Sequence, residues 1–245
     1  MSAKLRAGGE PVLVDGVRFD PSIDDIAERI HLEAYPELER EVRKLVDAAR
    51  DAARPRAVYR ICEAQAIGAA SATICGVRFE SEAVARMVAA SARGRASVGV
   101  ASGTGASPAE AAPVTKVVIY LATCGSELDS LDLSDLDPIA AYWLLVLKEM
   151  ALSAASTALR ARISWALAAD SIRVLHPGAH GRDVWAISDQ RKVFSLLADV
   201  PMADHAAADA PCDGLPPVIG VRLSESCIMS PDKSVSGLAT PATPV

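Results

Sequence analysis

Aromatic residues are scarce in this chain, at 4% of its 245 residues, whereas 51% of the residues are hydrophobic and alanine is abundant. The core must therefore consist mainly of Ala, Val, Leu and Ile side chains, a composition that suits closely packed helices. A chain of this length buries one sizeable core and is too short for several large domains. We therefore predict a single domain over residues 1–245.

Basic residues are too few for binding by bulk charge, because 25 Lys and Arg are outnumbered by 31 Asp and Glu and the net charge is -6. This balance argues against nucleic acid and against an anionic membrane surface as partners. The longest uncharged apolar run, residues 138–147, ends at Lys148 and is shorter than the roughly 20 residues that a membrane span needs. The N-terminus contains no apolar segment of the secretory type, so we predict a cytoplasmic protein.

Sequence patterns of several enzyme and metal-site classes are missing. The chain contains no G-x-S-x-G nucleophile turn and no phosphate-binding G-x-x-x-x-G-K-S/T loop. His176 and His180 are four residues apart, but Pro177 and Gly178 lie between them, so the two histidines cannot bind a metal from one helix. We predict no metal site.

The cysteines are scattered and form no C-x-x-C pair and no zinc-type cluster with histidine. They are Cys62, Cys75, Cys124, Cys212 and Cys227. Because a free cysteine commonly packs as a small hydrophobic side chain, we predict reduced, buried thiols.

Helical and strand patterns are mixed along the first two thirds of the chain. An N-terminal helical part at about 20–55 contains two amphipathic helices divided at Pro36. Residues 81–93 and 138–169 also favour helices. The nearly continuous apolar run at 116–123 favours a strand in the centre of a sheet, buried on both sides.

The last third, at about 170–238, contains loops, one helix and one strand. A Pro-Gly loop begins at Arg173, and the helix that follows it is predicted to have Ser188 as its N-cap. Alternating apolar residues at 218–226 favour a half-buried strand, which we expect to end in the polar sequence that follows.

Two segments of this last third carry a long and specific pattern. The first contains Arg173, Pro177-Gly178 and Trp185, followed by SDQRK and FSLL; the second is VIGVRLSESCIMSPDKSVSG. Together they resemble the reactivation domain of cobalamin-dependent methionine synthase, and more closely the stand-alone proteins that consist of that domain alone. The upstream sequence VIYLATCGSELDSL is similar to the family's strand, turn and acidic helix start.

The resemblance implies an α+β fold, with a twisted, mostly antiparallel sheet and packed helices. In the family, the domain binds S-adenosylmethionine and docks over the corrinoid, so that cobalamin oxidised to Co(II) is reduced and remethylated. The implied partner is a corrinoid-binding methyltransferase or methionine synthase subunit, which carries the cobalamin. The residues leave open whether this chain is an enzyme by itself or a component of a cobalamin-dependent methyltransferase.

Transferred residue by residue, the resemblance implies a set of ligand-binding positions. Arg173 would pair with the carboxylate of the methyl donor, a contact that suits the planar guanidinium group. The loop would bring its backbone close to the ligand, and the end of the later strand would face the same cleft. The predicted cofactor-binding residues are Arg173, Pro177, Gly178, His180, Glu225 and Ser226.

Two other functions stay open. Ala179 and His180 stand where the family has a loop tyrosine, which favours a binding module that recognises a corrinoid protein without binding S-adenosylmethionine. The third hypothesis is an enzyme with a repurposed cleft, in which His180 or Cys124 performs the chemistry.

Overall fold

The computed structural model describes residues 8–96, 114–167, 171–176, 185–199 and 224–232, which contain seven strands and five α-helices. The strands are β1 (Val12–Val14), β2 (Arg56–Ile67), β3 (Ser71–Ile74), β4 (Val77–Phe79), β5 (Thr115–Thr123), β6 (Ser171–Leu175) and β7 (Ser224–Asp232). The helices are α1 (Ile23–Ile30), α2 (Glu39–Ala52), α3 (Glu82–Ala96), α4 (Ala140–Leu167) and α5 (Gln190–Leu197).

The strands form one sheet in the order β4-β3-β2-β5-β7-β6, and β1 also pairs with β2. All pairs of these strands are antiparallel. Helices pack on both sides of the sheet, so the predicted α+β fold with a mostly antiparallel sheet is confirmed.

Strand β5 lies in the centre of the sheet, as its apolar run predicts, and pairs with β2 and β7. Its side chains alternate between two buried clusters. Val117, Ile119 and Leu121 belong to the cluster under α3 and α5. Val118, Tyr120 and Ala122 belong to the cluster under the C-terminal half of α4. We call these two sides of the sheet the α3/α5 face and the α4 face.

The N-terminal half of α4 packs against α1 and α2 rather than against the sheet alone. Trp143 and Leu147 of α4 are buried in one cluster with Val42 and Leu45 of α2 and Ile26 of α1. These residues are the apolar faces of amphipathic helices, as the sequence predicts. Among the described residues, no helix is long and apolar enough to cross a membrane.

The last third differs from the prediction at three points. Arg173 lies in β6, not in a loop, and residues 227–232, in the segment where we expected the strand to end, continue β7. Both segments are strands because they pair with each other and β7 also pairs with β5, which satisfies their backbone groups. Ser188 is not an N-cap: it lies inside a short 3-10 turn, Ile187–Asp189, that leads directly into α5.

The prediction of reduced thiols is wrong for one pair of cysteines. Cys62 of β2 and Cys75, in the turn between β3 and β4, form a buried disulfide with their Cα atoms 5.4 Å apart. Cys124 is a free, buried thiol. Disulfides are uncommon in the reducing cytosol, so this pair does not support the predicted cytoplasmic location, which stays a prediction.

Candidate functional site

Arg173 is placed on the edge strand β6, opposite Ser230 of β7. The residues on either side of it, Ile172 and Val174, pack on the α4 face, whereas Leu175 is buried in the cluster of the α3/α5 face. Because side chains alternate along a strand, Arg173 lies on the same side as Leu175. It is therefore directed toward α3.

A cleft of about 430 Å³ lies between α3 and β6, and Arg173 forms part of its wall. We call it the α3–β6 cleft. Its size is within the range typical of ligand-binding pockets, roughly 300–1,000 Å³. The lining residues are Ala83, Arg86, Met87, Ala90, Arg173, Val174 and Leu175.

The described lining residues of the α3–β6 cleft include two guanidinium groups, those of Arg86 and Arg173, and no carboxylate. Both arginines are exposed. Arg86 has an interaction of its own, but the side chain of Arg173 has no hydrogen bond or ion pair with the residues that the structure describes. Arg173 is thus available to a carboxylate, with which a guanidinium group forms strong, charge-assisted hydrogen bonds.

Arg86 is not marked by any motif in the sequence. It lies on α3, in a segment whose pattern shows only an amphipathic packing helix. Nothing in the local sequence connects it with Arg173, since the two residues are brought together only by the packing of α3 beside β6. The small side chains Ala83 and Ala90 leave the space between the two elements open.

The structure does not bring Glu225 and Ser226 to the position of Arg173. Both residues lie in the first half of β7, where Glu225 pairs with Ala122 and Ser226 with Leu121 of β5. Arg173 pairs with Ser230, which is five residues from Glu225, or about 17 Å along an extended strand. Glu225 and Ser226 therefore lie at a different point along β7 than the partner of Arg173, and their role in ligand binding stays a prediction.

The other predicted ligand-binding residues, Pro177, Gly178 and His180, lie outside the described residues. Cys124, which one hypothesis gives a chemical role, is buried, and its thiol donates to the carbonyl of Gly125 at 3.4 Å. No group of three or more His, Cys, Asp or Glu side chains in the described ranges could hold a metal ion.

Two residues of the motif, Trp185 and Asp189, have a structural role. The indole of Trp185 is buried, packs edge-on against Phe79 at 5.9 Å between ring centroids, and donates from Nε1 to Asp189 at 2.9 Å. The other carboxylate oxygen of Asp189 pairs with Lys192 at 2.8 Å. These contacts hold the start of α5 on the α3/α5 face.

These features define an α+β protein with a basic, ligand-sized cleft at one edge of its sheet. No protein-family model matches the chain, and no curated protein matches it. Among solved structures, the chain is similar to the MetH reactivation domain bound to AdoHcy, with 14% identity and a TM-score of 0.46 over 92% of this chain and 79% of that one.

Proposed function

We propose that this chain is a detached reactivation module for a cobalamin-dependent methionine synthase or another corrinoid methyltransferase. In this function it binds S-adenosylmethionine in the α3–β6 cleft and docks on the subunit that carries the cobalamin. The observation that carries the proposal is the placement of Arg173. The residue that the motif assigns to the donor's carboxylate lies in the wall of a ligand-sized cleft, without a partner among the described residues.

The chemistry of the cleft fits the carboxylate end of this ligand. Arg173 would donate to the carboxylate oxygens, and the positive charge of Arg86 in the same wall would add to the attraction. Met87 and Leu175 provide apolar surface beside the two arginines. When bound, S-adenosylmethionine would supply the methyl group, and the residues of this chain would hold and orient it.

Calorimetric titration with S-adenosylmethionine tests the donor half of the proposal. We expect wild-type protein to bind it and Arg173→Ala to bind about tenfold or more weakly, because a hydrogen bond to a charged group is worth about 1.5–3 kcal/mol. Arg173→Lys should be intermediate, since an ammonium group cannot form the planar double contact. Arg40→Ala, which removes an exposed arginine from α2, is the matched control and should bind normally.

The docking half needs a second experiment. A purified corrinoid methyltransferase without its own reactivation domain is allowed to oxidise, and the chain is then added with S-adenosylmethionine and a chemical reductant. Recovery of turnover that depends on the chain, and that is reduced by Arg173→Ala, is the expected result. No heat of donor binding and no recovery would contradict the proposal.

A second function is favoured by the separation of Arg173 from Glu225. None of the described residues that line the cleft carries a carboxylate for the positive groups of the donor, and Glu225 lies about 17 Å along β7 from the register of Arg173. These two observations fit a docking module that acts without a methyl donor. Binding to a corrinoid protein with equal affinity in the presence and absence of S-adenosylmethionine would support this function over the first.

A further inference from the structure

Helix α4 has an exposed side that the proposed function does not use. Its other side is buried against the sheet, through residues such as Ala155 and Leu159. On the exposed side, every fourth residue from Leu145 to Trp165 lies at the surface, which makes an unbroken row about 30 Å long. We call these residues the α4 row: Leu145, Glu149, Ser153, Thr157, Ala161 and Trp165.

Both ends of the α4 row carry exposed apolar side chains. Trp165 has 76% of its surface exposed, the largest fraction for a large apolar residue in the described ranges. The guanidinium carbon of Arg162 lies 5.2 Å from the centre of its ring, which is the distance of a cation–π contact. At the other end, Leu145 and Tyr142 are exposed as well. Tryptophan, tyrosine and arginine are the residues that most often carry the binding energy of a protein–protein interface.

The charges on this side of α4 are divided between the two halves of the helix. Glu149 lies in the first half, and Arg160, beside the α4 row, lies in the second. They are about 16 Å apart along the helix axis, so they cannot pair within one chain. Arg160 has an interaction within its own chain. A guanidinium group has five N–H donors, however, so it can also pair with a carboxylate of another molecule.

A second copy of the chain fits the α4 row when the two helices are antiparallel. Rows of residues four apart are the ridges through which helices most often pack, and the small side chains in the middle let the two helices approach. The facing residues would be Ser153 and Thr157, Glu149 and Ala161, and Leu145 and Trp165. Glu149 of each copy then lies beside Arg160 of the other, and each contact is made twice, as a two-fold axis requires. A parallel arrangement would instead place Glu149 beside Glu149.

We propose that the chain forms a symmetric dimer through the α4 row, with a second copy of itself as the partner. Trp165 of each copy packs on Leu145 of the other, and Glu149 of each copy pairs with Arg160 of the other. One pair of helices buries less than a standard interface of about 1,600 Å², so the dimer is weak and depends on concentration. The α3–β6 cleft lies on the other side of the sheet, so the proposal does not depend on the function proposed for that cleft.

Sedimentation equilibrium of the full chain at about 1–100 μM tests the dimer. We expect the dimer fraction to rise with concentration, and Trp165→Ala to raise the dissociation constant about tenfold or more. Ile187→Ala is the matched control, because it removes another exposed apolar side chain, just before α5, and should leave the equilibrium unchanged. A monomer at every concentration overturns the proposal, and so does a dimer that Trp165→Ala does not weaken.

Charge reversal distinguishes the antiparallel contact from any other association. Glu149→Lys and Arg160→Glu should each raise the dissociation constant, because each places like charges together at two symmetric contacts. The double variant Glu149→Lys/Arg160→Glu restores opposite charges and should bring the dissociation constant back toward that of wild type. Both residues are exposed, so the variants should fold, which circular dichroism checks. No recovery in the double variant contradicts the pairing of Glu149 with Arg160.

Discussion

Two arginines on the same face of one sheet have opposite surroundings, and burial decides what each can do. Arg173 is exposed at an edge strand, so water satisfies its donors until a ligand arrives, and a ligand gains only part of each hydrogen bond. Arg60 lies in an inner strand with only 4% of its surface exposed, and its Nε and Nη1 have no acceptor among the residues that the structure describes. Replacing Arg173 should therefore change the free energy of unfolding little, whereas replacing Arg60 should lower it.

The start of α1 shows how a single carboxylate acts on stability. The Ser22 hydroxyl accepts from the amide of Asp25 at 3.1 Å, and the Asp25 carboxylate accepts from the Ser22 amide at 3.1 Å, which makes a capping box. The hydrogen bond from the Ser22 side chain, followed by that from its backbone, lowers the pKa of Asp25 below its ordinary value of 3.8. A carboxyl with a lowered pKa stabilises the folded state above that value and loses this effect as the pH falls through its folded-state pKa.

We therefore predict that Asp25→Ala is less stable than wild type at neutral pH, and that the difference shrinks as the pH falls below 3.8. Urea unfolding at a series of pH values measures it. Asp24→Ala is the matched control, because Asp24 lies in the same first turn but outside the capping box. A difference between Asp25→Ala and wild type that does not change with pH would contradict this interpretation.

How far the site could be predicted differs from residue to residue. Arg173 is marked by the motif around it, and the structure places it in a cleft. Arg86 shows no signal in the sequence, because it is far along the chain from Arg173, the residue it accompanies in the cleft. Only helix packing and strand pairing bring such residues together.

At the scale of elements, β6 and β7 show why local patterns mislead. The second half of β7 contains Pro231, a residue that disfavours strands, yet this residue pairs with Ile172 of β6, and the preceding residues of β7 also pair with β5. Its extended form follows from the backbone groups that its neighbours offer, not from its own side chains. The strand β5 was predicted correctly because a strand that is buried on both sides must be apolar at nearly every position, and such a run can be recognised in the sequence.

The disulfide between Cys62 and Cys75 connects β2 to the turn between β3 and β4. We predict that reduction, or the double substitution Cys62→Ala/Cys75→Ala, lowers the free energy of unfolding by about 3 kcal/mol, the chain-entropy value for closing a loop of this length. Urea unfolding with and without a thiol reductant measures the change. The double variant serves as the control, because reductant should have no further effect on it.

Thiol labelling under denaturing conditions checks the bond itself. Blocking the free thiols before reduction should leave Cys62 and Cys75 unmodified while Cys124, the buried free thiol, is labelled. Labelling of all three before reduction would show that the disulfide does not form in the purified protein.

At the scale of the whole molecule, β5 connects the two sides of the sheet. Residues that follow one another in this strand belong alternately to the cluster on the α3/α5 face and to the cluster on the α4 face. Each cluster also includes helices from distant parts of the chain. A change in β5 should therefore reach both sides of the protein.

We predict that Leu121→Ala, at a fully buried position of β5, lowers the free energy of unfolding by about 2–5 kcal/mol through loss of apolar burial and creation of a cavity. Tryptophan fluorescence, to which Trp185 and Trp143 contribute from two different clusters, and far-UV circular dichroism should still report one common transition. Leu13→Ala, at a position of β1 that is 47% exposed, is the control and should change stability by less than about 0.5 kcal/mol. Separate transitions for fluorescence and circular dichroism would show that the protein does not unfold as one cooperative unit.

The sequence by itself determined the helices with apolar faces, the central strand and the choice of Arg173 as a candidate site residue. Periodic burial and local motifs depend on residues that are close together in the chain, so they can be recognised from the sequence. The tertiary structure alone decided the extended form of β6 and of the end of β7, and the Cys62–Cys75 bond. It also decided that Arg86 and Arg173 line one cleft, and that Arg60 is buried beside Glu10 and Asp199. Each of these depends on groups distant in the chain, whose approach is set by the packing of the whole sheet and its helices.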